Sequence, residues 1–202
     1  MVSEHIQPLN SIGPADPQKA REKEMEKDPA KKDYIEGREF YTAGNYTMAA
    51  QSFHNAMKGF EEQGNEQGVA NASDRLGDVC LARDQYELAI DNFQRAYAIC
   101  EKEEDSFSSL SLNKKIAIAH RELGQLDQSL EILYDMLDHY QLTRHPKGVV
   151  DILIVLAEIY VKQGKTEKAV EAYRTVSSIH GNFKHKRLSE DFARRAEELA
   201  QA

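Results

Sequence analysis

Five basic side chains, Arg38, Arg75, Lys114, Lys115 and Arg121, fall at spacings that would place them on one face of successive helices. Guanidinium and ammonium groups so arranged hold carboxylates through charge-assisted hydrogen bonds. Tyr34, Tyr41 and Ile118 stand among them as receivers of apolar side chains, and Asp78 and Glu158 add the opposite charge. This is recognition chemistry. Bond-making chemistry has no comparable set, because no phosphate-binding glycine loop, paired cysteine motif or nucleophile elbow occurs. The carboxylates are scattered over solvated stretches, so no acid/base pair stands out. His139 and His145 flank one break in the pattern, and His180 and His185 the next. None forms the four-apart pair with a carboxylate that a metal site on a helix needs. The expectation is a protein without catalytic residues, metal or cofactor.

What positions the basic residues is a pattern that recurs every 40 residues. Small residues return at Gly37, Gly77, Ala117 and Ala157, with Glu197 at the next step. Ala49, Ala89, Ser129 and Ala169 form a second series, and Phe53, Phe93, Leu133 and Tyr173 a third. A turn position reads Gly44, Asp84, Gly124 and Gly164. Between these marks the apolar residues keep three- and four-residue spacing, as in Leu76, Val79 and Cys80, then Tyr86, Ala89, Ile90 and Phe93. Each unit therefore reads as two amphipathic helices joined by a tight turn. Longer linkers are expected at Gln63–Gly68 and His145–Gly148. A period of this size marks a solenoid, in which each unit covers its neighbour's apolar face.

Residues 1–30 carry four of the five prolines and a mixed-charge run with little apolar surface, and read as a mobile polar leader. Units follow at about 31–64, 68–104, 108–142 and 146–181, within 31–185. Residues 186–202 supply one further amphipathic helix, with Leu188, Phe192, Ala196 and Leu199 on one face, and read as a cap. The formal charge of -8 argues against nucleic-acid binding. No apolar run reaches the roughly 20 residues of a membrane span. Two cysteines are too few for a disulfide framework, and Cys80 falls at an inward position. With no signal-like start, the expected compartment is a reducing cytoplasm.

At this point the chain resembles the tetratricopeptide repeat family over about residues 31–200. Gly37, Phe40, Gly44, Tyr46, Ala49, Phe53 and Ala56 carry the likeness in the first unit. Leu76, Gly77, Tyr86, Ala89, Phe93 and Ala96 carry it in the second, and Leu156, Ala157, Tyr160, Gly164, Ala169 and Tyr173 in the fourth. The third is loosest, with Ala117, Gly124, Leu126, Ser129 and Leu133. The 40-residue period is similar to that of Pins-type adaptors, kinesin light chains and bacterial peptide-sensing regulators. The resemblance implies an all-α, right-handed α–α superhelix of four helix pairs plus the capping helix. It also implies a concave groove, lined by the first helix of each pair, that binds a peptide or helical segment.

The candidate groove residues are thus Tyr34, Arg38, Tyr41, Arg75, Asp78, Lys114, Lys115, Ile118, Arg121 and Glu158. In one reading the five cations meet acidic groups of a partner. In the other, Arg75 pairs with Asp74 or Asp78, while Lys114 and Lys115 are solvated surface. A chaperone-tail carboxylate clamp of the family is not expected: its positions read Tyr34, Arg38, Arg75, Ser111 and Lys115, of which only the last partly fits. The expected partner is a protein or peptide bound by an adaptor or assembly factor. Alternatives are a self-associating scaffold, hence a homo-oligomer, and a regulatory subunit whose leader fills its own groove.

Overall fold

The computed structural model describes residues 28–201, so most of the expected leader lies outside the described residues. Nine helices occupy the described residues: α1 Pro29–Thr42, α2 Tyr46–Glu62, α3 Glu66–Ala82, α4 Tyr86–Lys102, α5 Ser106–Glu122, α6 Leu126–Leu142, α7 Pro146–Lys162, α8 Thr166–Asn182 and α9 Lys186–Gln201. No strand interrupts them among those residues, and they form the expected all-α superhelix of paired helices. The first helix starts inside the segment read as leader. Asp28 caps it by accepting the Lys31 N–H at 3.2 Å, and Ala30 is buried. None of these helices is long and apolar enough to cross a membrane.

Three residues separate each helix from the next, and the middle one has positive φ. It is Gly44, Gly64, Asp84, Glu104, Gly124, Arg144, Gly164 or Lys184, one every 20 residues. Each turn closes alike: the N–H after the positive-φ residue reaches back five residues, as Asn45 does to the Phe40 carbonyl at 2.9 Å. That pattern satisfies carbonyls left over at the helix end. The same turn links helices within and between units, so the longer linkers expected at Gln63–Gly68 and His145–Gly148 do not exist. Gly68 and Gly148 lie inside α3 and α7. They are glycine because an added Cβ would run into the rings of Phe60 and Tyr140. Asn65 and His145 cap these helices by accepting the N–H groups of Gly68 and Gly148, each at 2.9 Å.

The buried interior follows the repeat. Ala49, Ala89, Ser129 and Ala169 are fully buried, and Phe53, Phe93, Leu133 and Tyr173 pack beside them. The polar member of the first series, Ser129, donates to the Ala117 carbonyl at 2.8 Å, which makes its burial inexpensive. Each first helix also buries a stripe against the preceding second helix: Ala72, Leu76 and Val79; Leu112, Ile116 and Ala119; Ile152, Leu156 and Ile159. In α9 the same register gives Phe192, Ala196 and Leu199, with Phe192 stacked on Tyr173 at 6.0 Å. In α1 it gives Lys32, Glu36 and Glu39. The outward face of α1 is therefore polar. At the other end, Glu197 stands exposed where Gly37, Gly77, Ala117 and Ala157 accept a partner helix. Cys80 is only half-buried, and Cys100 is the cysteine that joins the core.

Candidate binding groove

The first helices of the pairs, α1, α3, α5 and α7, make one wall, and polar side chains bridge it. On α3, Arg75 holds Asp78 at 2.8 Å and Asp74 at 3.5 Å, with Tyr34 of α1 close by. From α5, Lys115 reaches across to the same two carboxylates, at 2.6 Å to Asp74 and 2.8 Å to Asp78. Its ammonium also lies 5.3 Å from the centre of the Phe93 ring. Two cations thus face two carboxylates, and the cluster is neutral. Burial pushes the Asp78 carboxyl above its ordinary value, with the Lys115 hydrogen bond pulling the other way. The Tyr41 phenol beside the cluster is raised by burial and then by the Asp78 charge.

Farther along, Arg121 of α5 pairs with Glu122 at 2.8 Å and with Glu158 of α7 at 3.3 Å. Ile118 and Ile154 are half-buried beside that bridge, and Val161 is exposed. The wall is therefore polar between α1 and α5 and more apolar between α5 and α7.

Tyr34, Tyr41, Arg75, Asp78 and Lys115 come together, and Arg121 joins Glu158. Arg75 has the carboxylate partners that one of the two sequence readings gave it. Lys115 is not ordinary solvated surface, because it closes a link between two units. Arg38 and Lys114 are different: no ion pair holds either among the described residues. Arg38 lies exposed over a shallow hollow with Ile35, Glu39 and Thr42. Lys114 turns into a crevice of about 450 Å3 with Phe107, Leu110, His139, Tyr140 and His145. The sequence reading passed over Phe107, whose one signal was a large aromatic residue in the first turn of a helix where Lys147 and Arg187 stand in later units.

Among the described residues no group of three or more His, Cys, Asp or Glu side chains could hold a metal ion. His120 is half-buried and bonded through Nδ1 to Gln125 at 2.6 Å. Both thiols are pushed up by burial, the reverse of activation.

Comparison with curated proteins returned no match. Among solved structures, the chain is similar to TPR-like repeats assigned to a kinesin light chain of Podosopora anserina. The TM-score is 0.71 at 17% identity, over 86% of this chain and 88% of that one. It is similar to aspartyl phosphate phosphatase F from Bacillus subtilis, at TM-score 0.67 and 16% identity, over 86% of this chain and 48% of that one. It also resembles the Rap conjugation gene regulator of the plasmid pLS20 in complex with the Phr* peptide, at TM-score 0.60 and 16% identity, over 84% of this chain and 52% of that one. The chain spans about half the length of the last two. Likeness at this identity shows the fold alone, a stack of helix pairs. The tetratricopeptide repeat model itself matches residues 33–102 and 108–180, and with that match over most of its length the chain belongs to the tetratricopeptide repeat family.

Proposed function

We propose that this chain is a non-catalytic binding module whose concave wall receives a peptide or helical segment of a partner protein, as an adaptor or assembly factor would. The observation that carries the reading is the wall itself. Tyr34, Tyr41, the Arg75–Asp78–Lys115 cluster, Ile118 and the Arg121–Glu158 bridge run across four first helices in sequence. Such a surface offers side-chain pockets and charges at regular intervals to a segment laid along it. The Phr* peptide complex of the pLS20 regulator supports the same class of ligand. The net charge of -8 favours a protein partner over nucleic acid. Two free thiols accord with a reducing, cytoplasmic setting.

Against self-association through α1 stands its polar outward face, with Lys32, Glu36 and Glu39. The alternative in which the leader fills the groove concerns residues outside those described.

The test is a quantitative pull-down from native extract with three baits: wild type, Arg38→Glu/Arg121→Glu, and the second-helix surface variant Gln94→Arg. The groove reading requires a protein retained by wild type and Gln94→Arg and lost with the double variant. Equal retention by all three baits overturns it.

A further inference from the structure

We infer that the crevice between α5 and the α6–α7 turn is a subsite for an acidic residue next to a large apolar one in the bound segment. The inference rests on the groove reading above and adds to it a location and a residue preference. Three observations lead there. First, the crevice encloses about 450 Å3, and a neighbouring one of about 220 Å3 shares Phe107 and Ser111 with it. The larger lies between α5, the end of α6 and the α6–α7 turn, the smaller between α3, α4 and α5, and the two meet at Phe107 and Ser111.

Second, Phe107 is 86% exposed, more than any other large apolar side chain among the described residues. With Leu110 and Tyr140 it gives the larger crevice an apolar wall that no part of the described chain covers. The matching α7 position is Lys147, so the repeat itself does not call for an aromatic ring there.

Third, among the described residues no carboxylate lines the larger crevice. Its ionisable lining consists of Lys114, His139, Tyr140 and His145. Arg75, Lys115 and Arg121 already have intramolecular carboxylates, whereas Lys114 has no ion pair among the described residues. His145 has its Nδ1 engaged as acceptor of the Gly148 N–H at 2.9 Å, which fixes its ring and leaves Nε2 as a donor. A half-buried lysine that has no ion pair among the described residues, beside an uncovered aromatic ring, suits a carboxylate flanked by an apolar side chain. The smaller crevice, with Asn71, Asp74 and Arg75 on its wall, suits a small polar residue on the far side of Phe107.

The experiment selects ligands from a phage-displayed library of random 12-residue peptides, using the full chain as bait, and measures the enriched peptides by fluorescence polarisation. The expected result is enrichment of sequences pairing Asp or Glu with a neighbouring Leu, Phe or Trp. Lys114→Glu and Phe107→Ser should weaken these peptides at least tenfold, Lys114→Gln by less, and Gln94→Arg not at all. Selection on Lys114→Glu should replace the acidic preference with a basic one. Circular dichroism melts confirm that each surface variant folds. Enriched peptides lacking an acidic residue overturn the inference. So do peptides unaffected by Lys114→Glu and Phe107→Ser but lost with Ile118→Asp; in that case the groove reading survives. If no peptide is enriched, or all are lost only with Gln94→Arg, both readings fall.

Discussion

Gly37 lies directly under the Phe53 ring, so close that a Cβ on the glycine would fall 2.7 Å from the ring's Cδ1. The second unit repeats the arrangement with Gly77 and Phe93, even more tightly. In the third and fourth units the small residue becomes Ala117 or Ala157, and its partner becomes Leu133 or Tyr173. The two helices of a pair can approach only as the sum of these side chains allows. Gly77→Val should therefore force α3 and α4 apart. The expected loss is about 1–3 kcal/mol, typical of overpacking, measured by urea denaturation. A variant as stable as wild type would contradict the packing assigned to Phe93.

Removing the Lys115 ammonium leaves Asp74 and Asp78 facing only Arg75. Lys115→Met should cost about 1–3 kcal/mol at pH 7, the usual consequence of leaving a largely buried carboxylate short of a partner. The pH dependence has a definite sign. Asp78 is raised in the folded state, so between its ordinary value and its folded value the native chain binds more protons than the unfolded one. Its contribution to stability therefore grows as pH falls through that window and is lost as pH rises. Without Lys115 the carboxyl should rise further and the dependence steepen. Denaturation at steps of pH from about 4, near the ordinary carboxylate value, up to pH 7 checks this, and Asp78→Asn placed in the Lys115→Met background should flatten it.

Four turns place a residue other than glycine at positive φ: Asp84, Glu104, Arg144 and Lys184. Asp84 has compensation, since it accepts the Tyr86 hydroxyl at 2.8 Å. At Glu104 and Arg144 the left-handed backbone costs more than glycine would, even after the entropy that glycine adds to the unfolded chain. Glu104→Gly and Arg144→Gly should each stabilise by about 0.5–1 kcal/mol and should add, because the sites are far apart. Thermal melts of the two single variants and the double variant decide it, and a loss of stability at either site would contradict the turn assignment.

Burial raises both thiols, so little thiolate exists at neutral pH. Maleimide labelling of the native chain at pH 7 should be at least tenfold slower than in urea, and slower at the buried Cys100 than at Cys80. Fast native labelling of Cys100 would place it outside the core.

The paired helices were legible because each is written in residues that recur at a fixed step. Phe53, Phe93, Leu133 and Tyr173 announce a buried position four times over. The 20-residue step of the turns was harder to see, because Glu104, Arg144 and Lys184 hide positions where glycine would have marked the left-handed backbone. That is also why Gly68 and Gly148 read as linker residues when they are contact points under Phe60 and Tyr140. The groove was half legible. Register put Arg75, Asp78 and Lys115 on one face, but whether a cation meets its own chain or a partner depends on the spacing between helices. Lys115 reaches Asp74 across 41 residues, while Lys114, its immediate neighbour, turns into the crevice. One residue of helical rotation separates those two fates.

The most direct measurement is site-specific photocrosslinking inside the native cell, with a benzophenone amino acid at Ile118 on the wall of first helices and, separately, at Gln94 on the outer surface of α4. The account predicts a covalent partner adduct from Ile118 and none from Gln94, with the crosslinked partner peptide identified by mass spectrometry. Adducts from Gln94 alone would show that partners meet the outer surface, and the groove would then not be the binding site.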